Sequence, residues 1–480
     1  MPRALARRVG VILSLVAALA AGTARAATFG VLATHPDAAA QPTVTGRTLS
    51  TLKVFNNKIY VGYGDYNANT GPIQIRAYDF STAAFTPSML SMLTEHVLLF
   101  REIGGKLYSP IIDTSAGGGG GTGYAVGTPS GANETWQNLL PVGGIHMFDI
   151  NSLDGTSLMM TGAVTAPTYA PTAWYSPDGT SWSTSHTETP PADHFGRYYG
   201  LGKYQGKLWT EARYAGLTAA NSTSRINPPY SNVWDGTSWS QGPQLLPGDA
   251  QTVWRPEEFA GQMVYLTLHN GFQTSRMFKF NGTAASQAYV DPTVGATSLF
   301  RDYAVAGDYL YGLLADGRLL QTRDLTTWSV FDTAPANSRS LTVFDGNLYI
   351  GTENAQILTY SAKVPEAFLI GDLDGNGQVD NFDIQPFELA LTDPVAYAAE
   401  HPAVVDFRER GDLDGDGDFD NFDIQPFEDL LTSSPTMAAV PEPPAVVLLG
   451  CGLALAGVAL CRAPSRSEAG PRVRRRALTS

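Results

Sequence analysis

The sequence predicts a mainly β chain, with a seven-bladed β-propeller over 28–362 and a small α-helical domain behind it. Three observations lead there. A hairpin signal recurs through the body at intervals of roughly 40–55 residues, the length of a four-stranded blade. Composition agrees: 49 Gly, 21 Tyr and 21 Phe with only 16% charged residues suit short strands joined by tight turns. Finally, an acidic stretch occurs twice, at 371–388 and 411–428, outside that repeat.

The hairpin signal is a turn followed by an apolar and aromatic pair. It appears at Asn57-Lys58-Ile59-Tyr60, Gly105-Lys106-Leu107-Tyr108, Asp154-Gly155-Thr156-Ser157-Leu158 and Gly206-Lys207-Leu208-Trp209. It returns at Gly261-Gln262-Met263-Val264-Tyr265, Gly307-Asp308-Tyr309-Leu310-Tyr311 and Gly346-Asn347-Leu348-Tyr349. A strand-like run precedes each turn, such as Leu52-Lys53-Val54-Phe55 or Leu341-Thr342-Val343-Phe344, so each repeat begins with a hairpin. About three strands remain after the last turn. A strand near 28–33 is therefore expected to complete the final sheet and close the ring, with six or eight blades as the alternatives.

Several repeats close on a turn before a tryptophan: Ser176-Pro177-Asp178-Gly179-Thr180-Ser181-Trp182, Trp234-Asp235-Gly236-Thr237-Ser238-Trp239 and Arg323-Asp324-Leu325-Thr326-Thr327-Trp328. The Asp carboxylate can accept from the following amides while the Trp pins the hairpin. These turns resemble the Asp boxes of sialidase-type and kelch-type propellers, one residue tighter. The resemblance covers short structural turns and implies no sialidase activity.

The duplicated stretch carries the acidity. Residues 371–434 hold 17 Asp and Glu against Arg408 and Arg410, enough to account for the whole net charge of −14. No patterned basic surface remains elsewhere, which excludes nucleic acid as a partner. In the first copy Asp372, Asp374 and Asn376 take positions 1, 3 and 5 of a twelve-residue loop, with Gly377 at 6, Gln378 at 7, Asp380 at 9 and Asp383 at 12. The second copy matches with Asp412, Asp414, Asp416, Gly417, Asp418, Asp420 and Asp423. Alternating carboxylates around a glycine turn suit Ca2+, a hard ion that takes about six to eight oxygens, so two calcium sites are expected. Seventeen of 22 positions agree between 371–392 and 411–432.

Two loops 40 residues apart, each ending in Asp where an EF-hand has Glu, resemble a dockerin domain. The resemblance implies a small F-hand module over 371–434, with one helix after each loop, docking to a cohesin-like or other surface protein. The candidate helices are 384–391 and 424–431, with proline in the first turn of each. Asn381-Phe382 and Asn421-Phe422 differ from the small pairs that cellulosomal dockerins present, which leaves the partner open.

The ends of the chain read as addresses. Arg3, Arg7 and Arg8, a short apolar run and Ala24-Arg25-Ala26 make 1–26 an expected signal peptide. A linker at 363–370 and a spacer at 435–440 flank the acidic domain. Pro441-Glu442-Pro443, an apolar run at 445–461 and six following arginines then fill 441–480. This order resembles the PEP-CTERM sorting signals of Gram-negative bacteria. It implies a C-terminal transmembrane helix over 445–461, processing by an exosortase-type enzyme, transient anchoring in the inner membrane, and a surface or extracellular destination. Cys451 and Cys461 both lie in this tail, so the body folds without disulfides.

For chemistry in the body, one polar pattern stands out. His96, His146 and His194 fall about 11–14 residues before the apolar anchors of their hairpins, and Arg255, Arg301 and Arg339 take roughly the same place later in the chain. First strands line a propeller's channel, so these six could ring one mouth and bind an anionic sugar or a metal, or serve acid–base chemistry; filling the funnel with water is the plain alternative. Gly64-Asp65-Tyr66-Asn67 is a second loop able to meet a ligand, and Gly117–Gly121 is a flexible run with no phosphate-binding signature. Glu211, Glu257 and Glu258 read as isolated acids. The expected function is that of an exported binding and assembly protein, with polysaccharide among its candidate ligands; a carbohydrate-active hydrolase or lyase on the same scaffold is the alternative.

Overall fold

The computed structural model describes residues 28–114, 122–164, 168–218, 225–269, 274–291, 299–365, 369–375, 379–401, 404 and 407–433. The fold is mainly β. Its body is a propeller-like succession of antiparallel meanders, each running from its first strand outward to its fourth. The first contains Thr51–Phe55, Lys58–Gly62, Ala77–Asp79 and Ala84–Phe85. The next two follow the same order from Arg101–Ile103 and from His146–Asn151.

Every hairpin signal read from the sequence opens the second strand of one of these sheets, from Lys58–Gly62 to Asn347–Thr352. The turns explain why. Asn56-Asn57, Gly104-Gly105, Gln205-Gly206, Ala260-Gly261 and Asp345-Gly346 all hold positive φ at two successive residues, the twist that joins adjacent strands most closely. The second strands are almost wholly buried, as in Tyr309–Leu314, because sheets cover them on both faces. Lys58, buried in such a strand, meets Glu134 at 3.2 Å and the Ala132 carbonyl.

The ring is closed by the ends of the body. Phe29–Thr34 pairs antiparallel with Gln356–Lys363, giving the last sheet its fourth strand. The first sheet then packs on the last: Leu49 N–H donates to Thr352 O at 3.0 Å, and Ser340 Oγ donates to Leu49 O at 2.7 Å. Elsewhere buried acids tie one first strand to the next. Asp149 takes Arg101 through two 2.8 Å bonds and accepts from Leu201 N–H, while Asp302 takes Arg255 and accepts from Leu341 N–H at 3.0 Å.

Asp-capped turns recur as expected. Asp154, Asp178, Asp235 and Asp324 each accept from two following amides at 2.6–2.8 Å. Asn281 does the same at 3.0 Å. Two of the tryptophans reach back to the preceding sheet, Trp239 to Ser185 Oγ and Trp328 to Ala288 O.

The acidic domain is helical. Ile384–Thr392 and Ile424–Ser433 follow the two loops, and Phe387 stacks on its repeat equivalent Phe427 with ring centres 4.2 Å apart. Two short helices went unread in the sequence. Pro394–Glu400 is capped by Asp393, and Phe407–Gly411 leads into the second loop, so that loop has a helix on both sides. Among the described residues no helix is long and apolar enough to cross a membrane. The expected signal peptide, the run Gly117–Gly121, Asn376, Gln378, Pro441, Glu442, Pro443 and the segment 445–461 lie outside the described residues.

Candidate functional sites: a central cavity and two acidic loops

A cavity of about 490 Å³ opens where first strands converge. Its wall takes Ser50 and His96 from just before two first strands, and Arg255, Arg301 and Arg339 from within three more. Four of the six residues singled out in the sequence therefore share this space.

His96 is buried, and its Nε2 lies 3.1 Å from Ser50 Oγ while its Nδ1 has no partner. Burial pushes the imidazole down to about 4, so it is neutral at physiological pH. Arg255 is held by Asp302, and Arg339 by Glu353, which also faces the cavity. Arg301 is different: its guanidinium donates to the Ala315 carbonyl at 3.2 Å and meets no carboxylate at ion-pair distance among the described residues. Burial, with Arg339 beside it, lowers its basicity, yet guanidinium remains charged. Trp254 and Tyr66 supply aromatic surface, and Tyr66 stacks on His96.

The other two histidines sit elsewhere. His146 Nδ1 donates to Ile112 O at 2.8 Å and its Nε2 accepts from Arg197 at 3.1 Å, so both ring edges are committed. His194 begins a side sheet, His194–Tyr198 with Ala212–Gly216 and Arg225–Ile226, and its Nδ1 lies 2.8 Å from Ala192 O. His194–Tyr198 continues the hairpin of Gly202–Tyr204 and Lys207–Thr210 across a bulge, and His194 at its far end is not part of the cavity wall. The acids read as isolated also have surroundings. Glu257 and Glu258 line a second cavity of about 250 Å³ with Lys53, Arg101 and Lys203. Buried Glu211 accepts from Leu245 and Leu246 N–H, and burial pushes it up to about 8.

The two acidic loops share one internal pattern. Asp383 Oδ1 accepts from Leu373 and Asp374 N–H, as Asp423 Oδ1 does from Leu413 and Asp414 N–H. Asp372 and Asp412 each accept from the Gly three residues on at 2.9 Å. One oxygen each from Asp372, Asp374 and Asp383 lies within 4.8 Å of the others, and the same holds for Asp412, Asp414 and Asp416. An all-carboxylate donor set of this kind fits a hard cation, and crowding of the buried Asp383 by burial and by its acidic neighbours raises its carboxyl to about 6. Asp380 and Asp420 turn instead to the Phe382 and Phe422 amides, and Asp418 stands outside its cluster.

One residue at the loops had no sequence reading. Arg410, fully buried, donates to Asp372 Oδ2 at 2.7 Å and to Asp372 O at 3.0 Å, and reaches Tyr309 Oη of the body at 2.7 Å. Its repeat equivalent is Ile370, so a basic residue unmatched between two otherwise parallel copies was the available signal.

No protein-family model and no curated protein matches the chain. Among solved structures it is similar to virginiamycin B lyase from Staphylococcus aureus, at 8% identity and TM-score 0.44, over 70% of this chain and 99% of that one. YCF48 from Cyanidioschyzon merolae is similar at 11% identity and TM-score 0.40, over 69% and 98%. The computationally designed Ika8 protein follows at 10% identity and TM-score 0.37, over 65% and 96%. Scores this low carry no argument; the fold rests on the strand order and ring closure above.

Proposed function

We propose that the chain is an exported, surface-associated binding and assembly protein. Its body is a closed propeller of seven blades, and its acidic module takes two Ca2+ ions and docks to a cohesin-like or other surface partner. Asp372, Asp374 and Asp383 hold one ion and Asp412, Asp414 and Asp416 the other, with the remaining loop positions completing each shell. The leader at 1–26 sends the chain out, and the PEP-CTERM-like tail holds it at the membrane until an exosortase-type enzyme processes it.

The blade count is supported by seven hairpin signals that each open a second strand, with Phe29–Thr34 completing the last sheet. The observation that carries the docking reading is the paired surface of the module. Phe382 and Phe422 are 76% and 75% exposed at equivalent positions, with Ile384 and Ile424 beside them, although large apolar side chains are costly to leave in water. Calcium fixes the loops that present these side chains.

The test is a calorimetric calcium titration of the full chain after chelator treatment. Two ions per chain are expected, falling to one in Asp412→Asn/Asp416→Asn. A chain that takes up no calcium at millimolar free ion overturns the module's role.

A further inference from the structure

We propose that the central cavity binds a single uronate residue, free or at the end of an acidic glycan, with Arg301 as its carboxylate partner. The inference does not depend on the calcium module.

Charge balance comes first. Arg255 is neutralised by Asp302 and Arg339 by Glu353, while His96 is a neutral imidazole. Arg301 bonds a carbonyl and feels Glu353 only at longer range, so among the described residues it is the one of the three guanidiniums with no carboxylate at ion-pair distance. A guanidinium without a bonded carboxylate has room for one, while a phosphate dianion would be harder to accommodate beside Glu353 in a partly buried space. The guanidinium fork also fits a planar carboxylate through two parallel bonds.

The remaining wall suits a sugar ring. Trp254 and Tyr66 offer aromatic faces for its C–H side. Opposite in character, Ser275 adds a hydroxyl to the wall. At about 490 Å³ the space is that of a small-ligand pocket, so it admits a chain end and not the middle of a long polymer.

The experiment follows Trp254-sensitive fluorescence and calorimetry on the full chain in excess chelator, so that failure of the calcium reading leaves this result untouched. The probes are sodium galacturonate, sodium glucuronate, galactose, sodium acetate and inorganic phosphate. At least one uronate should bind about 10–100-fold tighter than galactose and than acetate, the range of one charge-assisted hydrogen-bond pair. Arg301→Gln should remove the preference over galactose, and Arg301→Lys should restore part of it with an unchanged melting temperature. Four results overturn the proposal: no uronate binding, equal binding of uronate and galactose, tighter binding of phosphate or acetate, or an unchanged preference in Arg301→Gln.

Discussion

The two acidic loops are near copies in sequence and in hydrogen bonding, yet they occupy different environments. The first is walled in: Asp372, Leu373 and Arg410 are fully buried, and Arg410 joins the loop to Tyr309 of the body. The second faces water, with Asp414, Asp416 and Asp418 exposed and no basic side chain on Asp412 among the described residues. Duplication has therefore given one loop that also serves as a structural joint and one that is open to solvent. A repeat in sequence is not a repeat in role.

The largest test of that contrast is Arg410→Met. It strands the Asp372 carboxylate in a buried site and should cost about 3–5 kcal/mol in urea unfolding of the calcium-free chain. Ile370→Ala, the equivalent position for the open loop, should stay within about 0.5 kcal/mol. Tyr309→Phe removes one hydrogen bond to the same buried cation. A loss of about 1.5–3 kcal/mol is expected, read as a lower melting temperature of the helical module.

Calcium itself should distinguish the loops. In the first, the ion must share Asp372 with Arg410, so the second loop should fill at about tenfold lower free calcium, a difference of about 1.4 kcal/mol. Two well-separated steps in a titration, merging in Arg410→Met, would bear this out; a single step in the wild type would break the comparison. Arg323→Ala should do least. Its pair with Glu409 also bridges body and module but lies in solvent, where such pairs are worth about 0–1 kcal/mol.

Much of this architecture was legible in the sequence because it is local. The two-residue turns with positive φ all carry Gly or Asn at their second position, and an Asp-capped turn needs its carboxylate two and three residues before the amides it accepts from. Hence Gly206, Asp178 and the helices after Asp383 and Asp423 could be read directly. What escaped is long-range. Arg255 and Asp302 are 47 residues apart, and Arg410 and Tyr309 are 101 apart, so no spacing rule joins them. The shared place of His96, Arg255, Arg301 and Arg339 was visible as a repeat position. His194 departs from it: it lies 14 residues before Leu208, where Arg301 lies nine before Leu310, and so falls on the outer part of its hairpin. Asp393-Pro394 was a readable helix start, a capping carboxylate followed by a proline in the first turn.

The closing strand has a mechanical consequence. Gln356–Lys363 leads directly into the linker, so a pull transmitted along the chain from the module reaches the body through that strand. Phe29–Thr34 on one flank and Asn347–Thr352 on the other hold it in the interior of its sheet, where it must be sheared from two neighbours at once. Without Phe29–Thr34 the same strand would be an edge, peeled one bond after another at lower force, a difference that a single-molecule pull on a chain lacking 28–34 would register. The strand that completes the ring is also what lets the molecule be held by one end.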